Sequence, residues 1–190
     1  AVYDTGQIGS SFNMGSGNFY LIFPNTVVPN PSAGTIEMWY TPKTSAGQMS
    51  PTIQALAWGG QTGGNGVGAS AEDELSLTLV NSTNSIAFEI TSGGAYVLLV
   101  LSPTALTSGT TYHIAATWAG TGNYGKVYIN GALTASGLQS ANFGTNNWIG
   151  FRVGAPNSLE SMFVHGEVDE VRLSNKERPF FMVVFMSFFK

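Results

Sequence analysis

Tyr112-His113-Ile114-Ala115-Ala116-Thr117-Trp118, a loop at Gly120-Thr121-Gly122-Asn123, and Lys126-Val127-Tyr128-Ile129-Asn130-Gly131 form the stretch that decides the fold. Tyr112, Ile114, Ala116 and Trp118 fall on alternate positions, which is the period of a strand with one face buried. Lys126 to Ile129 then runs into Asn130-Gly131. That pair is the strongest short signal for a hairpin, because a type I′ turn needs positive φ twice in succession.

The same rhythm continues in both directions. Ile36, Met38 and Tyr40 share one face of a strand, and Glu37 and Trp39 share the other. Leu75 to Leu79 and Ile86 to Ile90 alternate in the same way, and Trp148 to Val153 and Gly166 to Leu173 supply the last strands. Tyr96 to Leu101 is continuously apolar, which predicts a strand covered on both faces. Turn signals separate these segments, among them Pro29-Asn30-Pro31, Gly59-Gly60, Gly93-Gly94 and Asn130-Gly131. Short strands at this spacing predict an all-β, two-sheet antiparallel sandwich of the jelly-roll kind. The interval from Lys43 to Ala71 reads as a long irregular insertion with a glycine-rich middle.

Composition agrees and narrows the function. Of the 190 residues only 9% are charged, 43% are hydrophobic and 24 are glycine. That balance suits neutral turns between short strands and does not suit disorder. A net charge of −4 with seven Lys and Arg leaves no basic stripe for nucleic acid; Arg172, Lys176 and Arg178 are balanced by Glu170 and Glu177. The absence of cysteine removes disulfides, thiolate chemistry and Cys-ligated zinc. Ala1 opens directly on polar sequence, the expectation being a mature or excised domain.

With these pieces in order, the chain resembles the laminin-G-like family of the concanavalin-A-like lectin/glucanase superfamily. Gly9 to Met14 resembles its opening strand, Thr35 to Pro42 its "T-I-x-x-W-x-x-P" strand, and Tyr112 to Gly131 its "H-x-V-A-x-T" and "Y-V-N-G" hairpin. Ile149-Gly150 with Gly166 to Leu173 resembles the closing "G-x-I-D-E-V-R-I" strand. The resemblance implies a jelly roll with a gently concave face. Members of the family serve as glycan-binding modules, adhesion domains, accessory domains of hydrolases and surface-structure parts. With no complete catalytic constellation, the expectation is a non-catalytic recognition module, glycan-binding or adhesive, at an extracellular, cell-surface or virion location. Fold likeness alone does not assign function.

Residues 1–178 read as this sandwich, and 179–190 as an apolar C-terminal segment. Phe180 to Phe189 (FFMVVFMSFF) is too short to span a membrane, which needs about 20 residues. It reads as a terminal strand or as a subunit contact through Phe180, Phe181, Phe185, Phe188 and Phe189. The second functional reading is therefore an assembly subunit of a fibre, surface layer or virion.

A third reading, a glycanase, rests on Glu167-Val168-Asp169-Glu170. Glycanases of the superfamily carry an E-x-D-x-x-E strand, and retaining chemistry holds its carboxyls ~5–5.5 Å apart on one face. Here Glu170 directly follows Asp169, so simple alternation sends it to the opposite face, and no third carboxylate follows. The chain is thus expected not to be an enzyme.

For sugar recognition, aromatic faces and nearby polar groups are the parts to seek. Trp58 and Tyr124 fall in apparent loops, with Asp73, Asn123, Asn146 and Asn147 close by in sequence, so Trp58, Asp73, Asn123 and Tyr124 are the candidate ligand-binding residues. Trp39, Trp118 and Trp148 lie in strands and read mostly as core. No cofactor is expected. A structural calcium would have to draw on Glu72, Asp73 and Glu74 with Asp4 and Asp169. His113 matches the family's strand histidine and is expected to be packed; with His165 alone it makes no zinc site.

Overall fold

A computed structural model describes residues 2–6, 9–14, 19–24, 26–43, 53–61, 73–145, 148–155 and 162–180. Two antiparallel sheets face each other. The larger holds seven strands in the order β1 (Val2–Thr5), β2 (Ser10–Asn13), β13 (Gly166–Ser174), β4 (Gly34–Pro42), β9 (Tyr112–Trp118), β10 (Tyr124–Ile129), β11 (Ala132–Leu138). The smaller holds six: β3 (Leu21–Ile22), β12 (Trp148–Val153), β5 (Ile53–Gln61), β6 (Glu74–Val80), β7 (Ser85–Ser92), β8 (Ala95–Ala105).

The alternation read from the sequence selects the inner faces. Ile36, Met38, Tyr40, Ile114, Ala116, Trp118 and Val127 from the larger sheet meet Leu75, Leu77, Leu79, Phe88, Ile90 and Phe151 from the smaller. Trp118 is fully buried, and its indole N–H donates to the Asn30 carbonyl at 2.7 Å. Gly34 makes room for that ring, since any Cβ there would collide with it. The hairpin forms as expected, with Asn130 and Gly131 both at positive φ, 52° and 78°, and Ile129 opposite Ala132.

Three expectations need correction. The interval Lys43–Ala71 is not wholly irregular, because β5 lies inside it at the middle of the smaller sheet. Gly59 and Gly60 mark close packing there and not a turn. A Cβ on Gly59 would collide with the Trp148 ring, and one on Gly60 would come within 2.7 Å of the Trp58 ring.

Second, the apolar run Tyr96 to Leu101 is not covered on both faces. β8 is an edge strand, and Leu99 and Leu101 are more than half exposed at 53% and 54%.

Third, β13 does not alternate simply. Asp169 pairs with Trp39 and Arg172 with Glu37, so Glu170 and Val171 together face Met38. Glu170 carries the kink at φ 49°, and its amide donates to Asp169 Oδ1 at 2.9 Å. This bulge lets Val168, Val171 and Leu173 all turn inward and keeps the Arg172 guanidinium on the outer face.

Candidate functional site

The residues on each sheet's outer face were chosen by the same alternation, but their polar groups are treated differently. Across the smaller sheet, direct pairing joins one residue from every strand. Ile22 lies opposite Arg152, Arg152 opposite Trp58, Trp58 opposite Ser76, Ser76 opposite Glu89, and Glu89 opposite Leu99. Directly paired residues share a face, so these six form one row. Thr78 and Thr91 flank it on the same side.

Trp58 is at the centre of this row. Its ring lies down over Gly60, where only a missing side chain leaves space. The Arg152 guanidinium stands 5.8 Å from the Trp58 ring centre and 5.8 Å from that of Tyr20, bridging two aromatic faces. Tyr20 is 40% exposed and is backed by Phe163 at 6.1 Å, so the row opens toward solvent on this side.

The hydrogen-bonding state of the row is unusual. Trp118 and Trp148 both donate their indole N–H to backbone carbonyls, at 2.7 Å and 2.8 Å. Trp58 is equally buried, yet its N–H has no hydrogen-bond partner among the described residues. The same holds for Ser76 Oγ, Thr78 Oγ1, Thr91 Oγ1 and Glu89 Oε2. Each such group costs about 1–3 kcal/mol if left without a partner. Native interiors avoid this almost everywhere. Burial also pushes the Glu89 carboxyl up to about 7. A neutral acid in that state can donate as well as accept.

The four residues singled out from the sequence do not form one site. Trp58 lies in β5, a central strand, and not in a loop. The doublet beside it looked like a turn but serves the packing of its own ring. Asp73 sits at one end of the smaller sheet. It accepts from Gln61 Nε2 at 2.8 Å and from the Gly93 amide at 3.3 Å, tying the strand ends together. Asn123 closes its own turn by donating to the carbonyls of Ala119 and Thr121. Tyr124 is in β10 on the larger sheet, 55% exposed, and faces away from Trp58's sheet. Asn146, Asn147 and Glu72 lie outside the described residues. Ser76, Thr78, Glu89, Thr91 and Arg152 were not recognised from the sequence, since only strand pairing brings them together.

No group of three or more His, Asp or Glu side chains is placed to hold a metal ion among the described residues. No helix among them is long and apolar enough to cross a membrane.

A two-sheet antiparallel sandwich with an aromatic and polar row across one outer face defines a class of β-sandwich domains. The chain belongs to the concanavalin A-like lectin/glucanases superfamily, matching its Laminin_G_3 family over residues 15–179. A sequence search among curated proteins finds no significant match. Solved structures share the fold. Domain 4 of AbnA, a GH43 extracellular arabinanase from Geobacillus stearothermophilus solved with arabinotriose, superposes with a TM-score of 0.66 at 19% identity, over 93% of this chain and 76% of that one. The CBM40 of Ruminococcus gnavus IT-sialidase, bound to α2,3 sialyllactose, gives 0.60 at 16% identity, over 77% and 78%. Domains LG4-5 of the mouse laminin α1 chain give 0.61 at 10% identity, over 87% and 40%.

Proposed function

We propose that this chain is a non-catalytic glycan-binding module, and that its ligand lies along the Trp58 row of the smaller sheet. The observation that carries the reading is the set of buried groups without partners, from the Trp58 indole N–H through Ser76 and Thr78 to Glu89 and Thr91. A sugar presents alternating hydroxyl donors and acceptors that would satisfy them once the buried row is opened, and its apolar ring face would rest against the exposed Tyr20. Glycan complexes among structures of the same fold support the substrate class. An extracellular or surface location goes with this reading.

The non-catalytic part rests on the larger sheet. Glu167 is tied to Lys43 and accepts from Ser11, and Asp169 Oδ1 is held by the Glu170 amide. Both are engaged within the chain, and Arg172 stands where the third carboxylate of the E-x-D-x-x-E pattern would fall.

Titration calorimetry with arabinotriose and α2,3 sialyllactose, followed by a glycan array, tests the proposal. Binding that Ser76→Ala or Glu89→Gln weakens at least about tenfold, with neither variant less stable than the parent, is the expected result. No binding across the array, or binding indifferent to both substitutions, overturns it.

A second reading, an assembly subunit, is favoured by the start of the C-terminal segment. Phe180 packs on Tyr128 at 5.0 Å and on His113 at 5.7 Å, so the first aromatic of the segment lies against the larger sheet. Phe181, Phe185, Phe188 and Phe189 lie outside the described residues. Removing residues 181–190 and measuring mass by light scattering tests it. An assembly that becomes a folded monomer supports this reading, and an unchanged mass ends it.

A further inference from the structure

Where β2 of the larger sheet comes beside β3 of the smaller, the sandwich holds a cavity of about 200 Å³. Phe12, Asn13, Met14, Phe19, Tyr20 and Leu21 line it. Its floor is held by the fold. Phe12 lies opposite Val168 on β13 and Leu21 opposite Val153 on β12, and both pack against the core. Met14 is buried, its amide donating to the Gly166 carbonyl at 2.8 Å. Its sulfur sits against Gly154, at φ 93°, where a Cβ would come within 2.5 Å of it. The rim is open: Phe19 and Tyr20 are 39% and 40% exposed. Ile22, where the Trp58 row begins, is 58% exposed. Three of the nine large apolar side chains exposed among the described residues thus fall within four consecutive positions. Single exposed apolar residues are ordinary, whereas a contiguous group marks a binding surface.

Size and surface chemistry narrow the occupant. An apolar cavity of about 150 Å³ stays dry and takes benzene. Pockets for drug-sized molecules run to roughly 300–1,000 Å³. This one suits a single six-membered ring without a chain. Phe12, Phe19 and Tyr20 offer ring faces and edges, and Met14 a polarisable thioether. Both kinds of contact favour an aromatic guest over an aliphatic one of equal size. Tyr20 also fixes the direction of approach. The Arg152 guanidinium at the end of the Trp58 row stands 5.8 Å from its ring centre. A ligand on the row that reaches Tyr20 has therefore reached the mouth of the cavity.

We infer that this cavity is an aryl subsite, taking one benzene-sized aromatic group carried by the sugar that binds along the Trp58 row. That the ring arrives on a sugar rests on the glycan reading of the row; the cavity itself does not. Phenol and cyclohexanol probe the cavity alone, read by NMR from the ¹³C-labelled Met14 methyl. Phenol is expected to shift that signal saturably and to bind at least about threefold more tightly than cyclohexanol. Phe19→Ala removes an exposed rim ring that lies outside the row, and should weaken phenol about fivefold with the unfolding midpoint preserved. The phenyl glycoside of α2,3 sialyllactose is expected to bind at least about tenfold more tightly than the free sugar. Phe19→Ala should erase that advantage and leave the free sugar's affinity unchanged. An unmoved Met14 methyl, equal binding of phenol and cyclohexanol, or full phenol affinity in Phe19→Ala overturns the aryl subsite. A phenyl glycoside no tighter than the free sugar overturns its link to the row. Phenol held in the cavity while no sugar binds overturns the glycan reading and not the cavity, so the two failures are distinguishable.

Discussion

Both outer faces carry a buried carboxyl with an oxygen that lacks a hydrogen-bond partner among the described residues, Glu37 Oε1 and Glu89 Oε2, and they differ in the cations set beside it. On the larger sheet, Glu37 is surrounded by His113 at 3.5 Å, Arg178 at 3.7 Å and Arg172 at 3.8 Å, while Lys126 and Glu177 meet at 2.5 Å. On the smaller sheet, Glu89 is buried with no ion pair among the described residues, and its Oε2 has no hydrogen-bond partner there. A charge compensated within the chain stabilises a fold. A buried carboxyl with no ion pair costs stability once it ionises, which is why burial raises its pKa.

Substitutions can break or sharpen this contrast. The largest effect is expected from Trp58→Ala. It removes a fully buried indole from the row and should cost about 3–5 kcal/mol in denaturant unfolding, along with glycan binding. A cost within 1 kcal/mol, by the same measurement, would mean that the row is not packed as described.

Glu89 gives the next effect. Its folded pKa of about 7 lies above the unfolded value near 4.5, so the folded state holds the proton more tightly. Stability is therefore greatest below the unfolded pKa, falls as pH rises from about 4.5 to 7, and is flat above that, by at most about 3 kcal/mol in all. Glu89→Gln should remove that slope and raise stability at pH 8 by about 1–3 kcal/mol. Equilibrium unfolding of both proteins across pH 4–8 checks it.

The same chemical change at Glu37 should have the opposite sign. Glu37→Gln leaves Arg172 and Arg178 without their anion and should cost about 1–2 kcal/mol, reduced by the exposure of both arginines. Urea titration at neutral pH reads it. If Glu37→Gln and Glu89→Gln shift stability in the same direction, the contrast between the faces is lost.

Phe180→Ala gives the smallest effect, about 1 kcal/mol. Burial holds the His113 pKa below its ordinary value, and Phe180 is part of that cover. The substitution should let the imidazole pKa rise, which an NMR titration of its ring protons would show.

The fold was largely legible because its evidence is local. Alternation at Ile36 to Tyr40 and Tyr112 to Trp118, and the Asn130-Gly131 turn, need only neighbouring residues to be read. The bulge in β13 was also legible in principle, since Val168, Val171 and Leu173 cannot all face inward under strict alternation. β5 was harder. Gly59-Gly60 has the composition of a turn, and its packing role depends on Trp58 and Trp148, one adjacent and the other far along the chain. The site was least legible. Ser76, Glu89 and Arg152 are ordinary strand residues singly, and they become a set only through register.

That register has a consequence for how the protein acquires its activity. The row draws on β3, β5, β6, β7, β8 and β12, the last separated from β8 by three strands of the larger sheet, β9 to β11. No fragment and no partly assembled sheet can present it, so under the proposed function competence to bind arrives only when the last strand closes. A ligand on the row then acts as a clasp across strands distant in the chain, and its binding energy adds to the resistance of the whole sheet to unfolding.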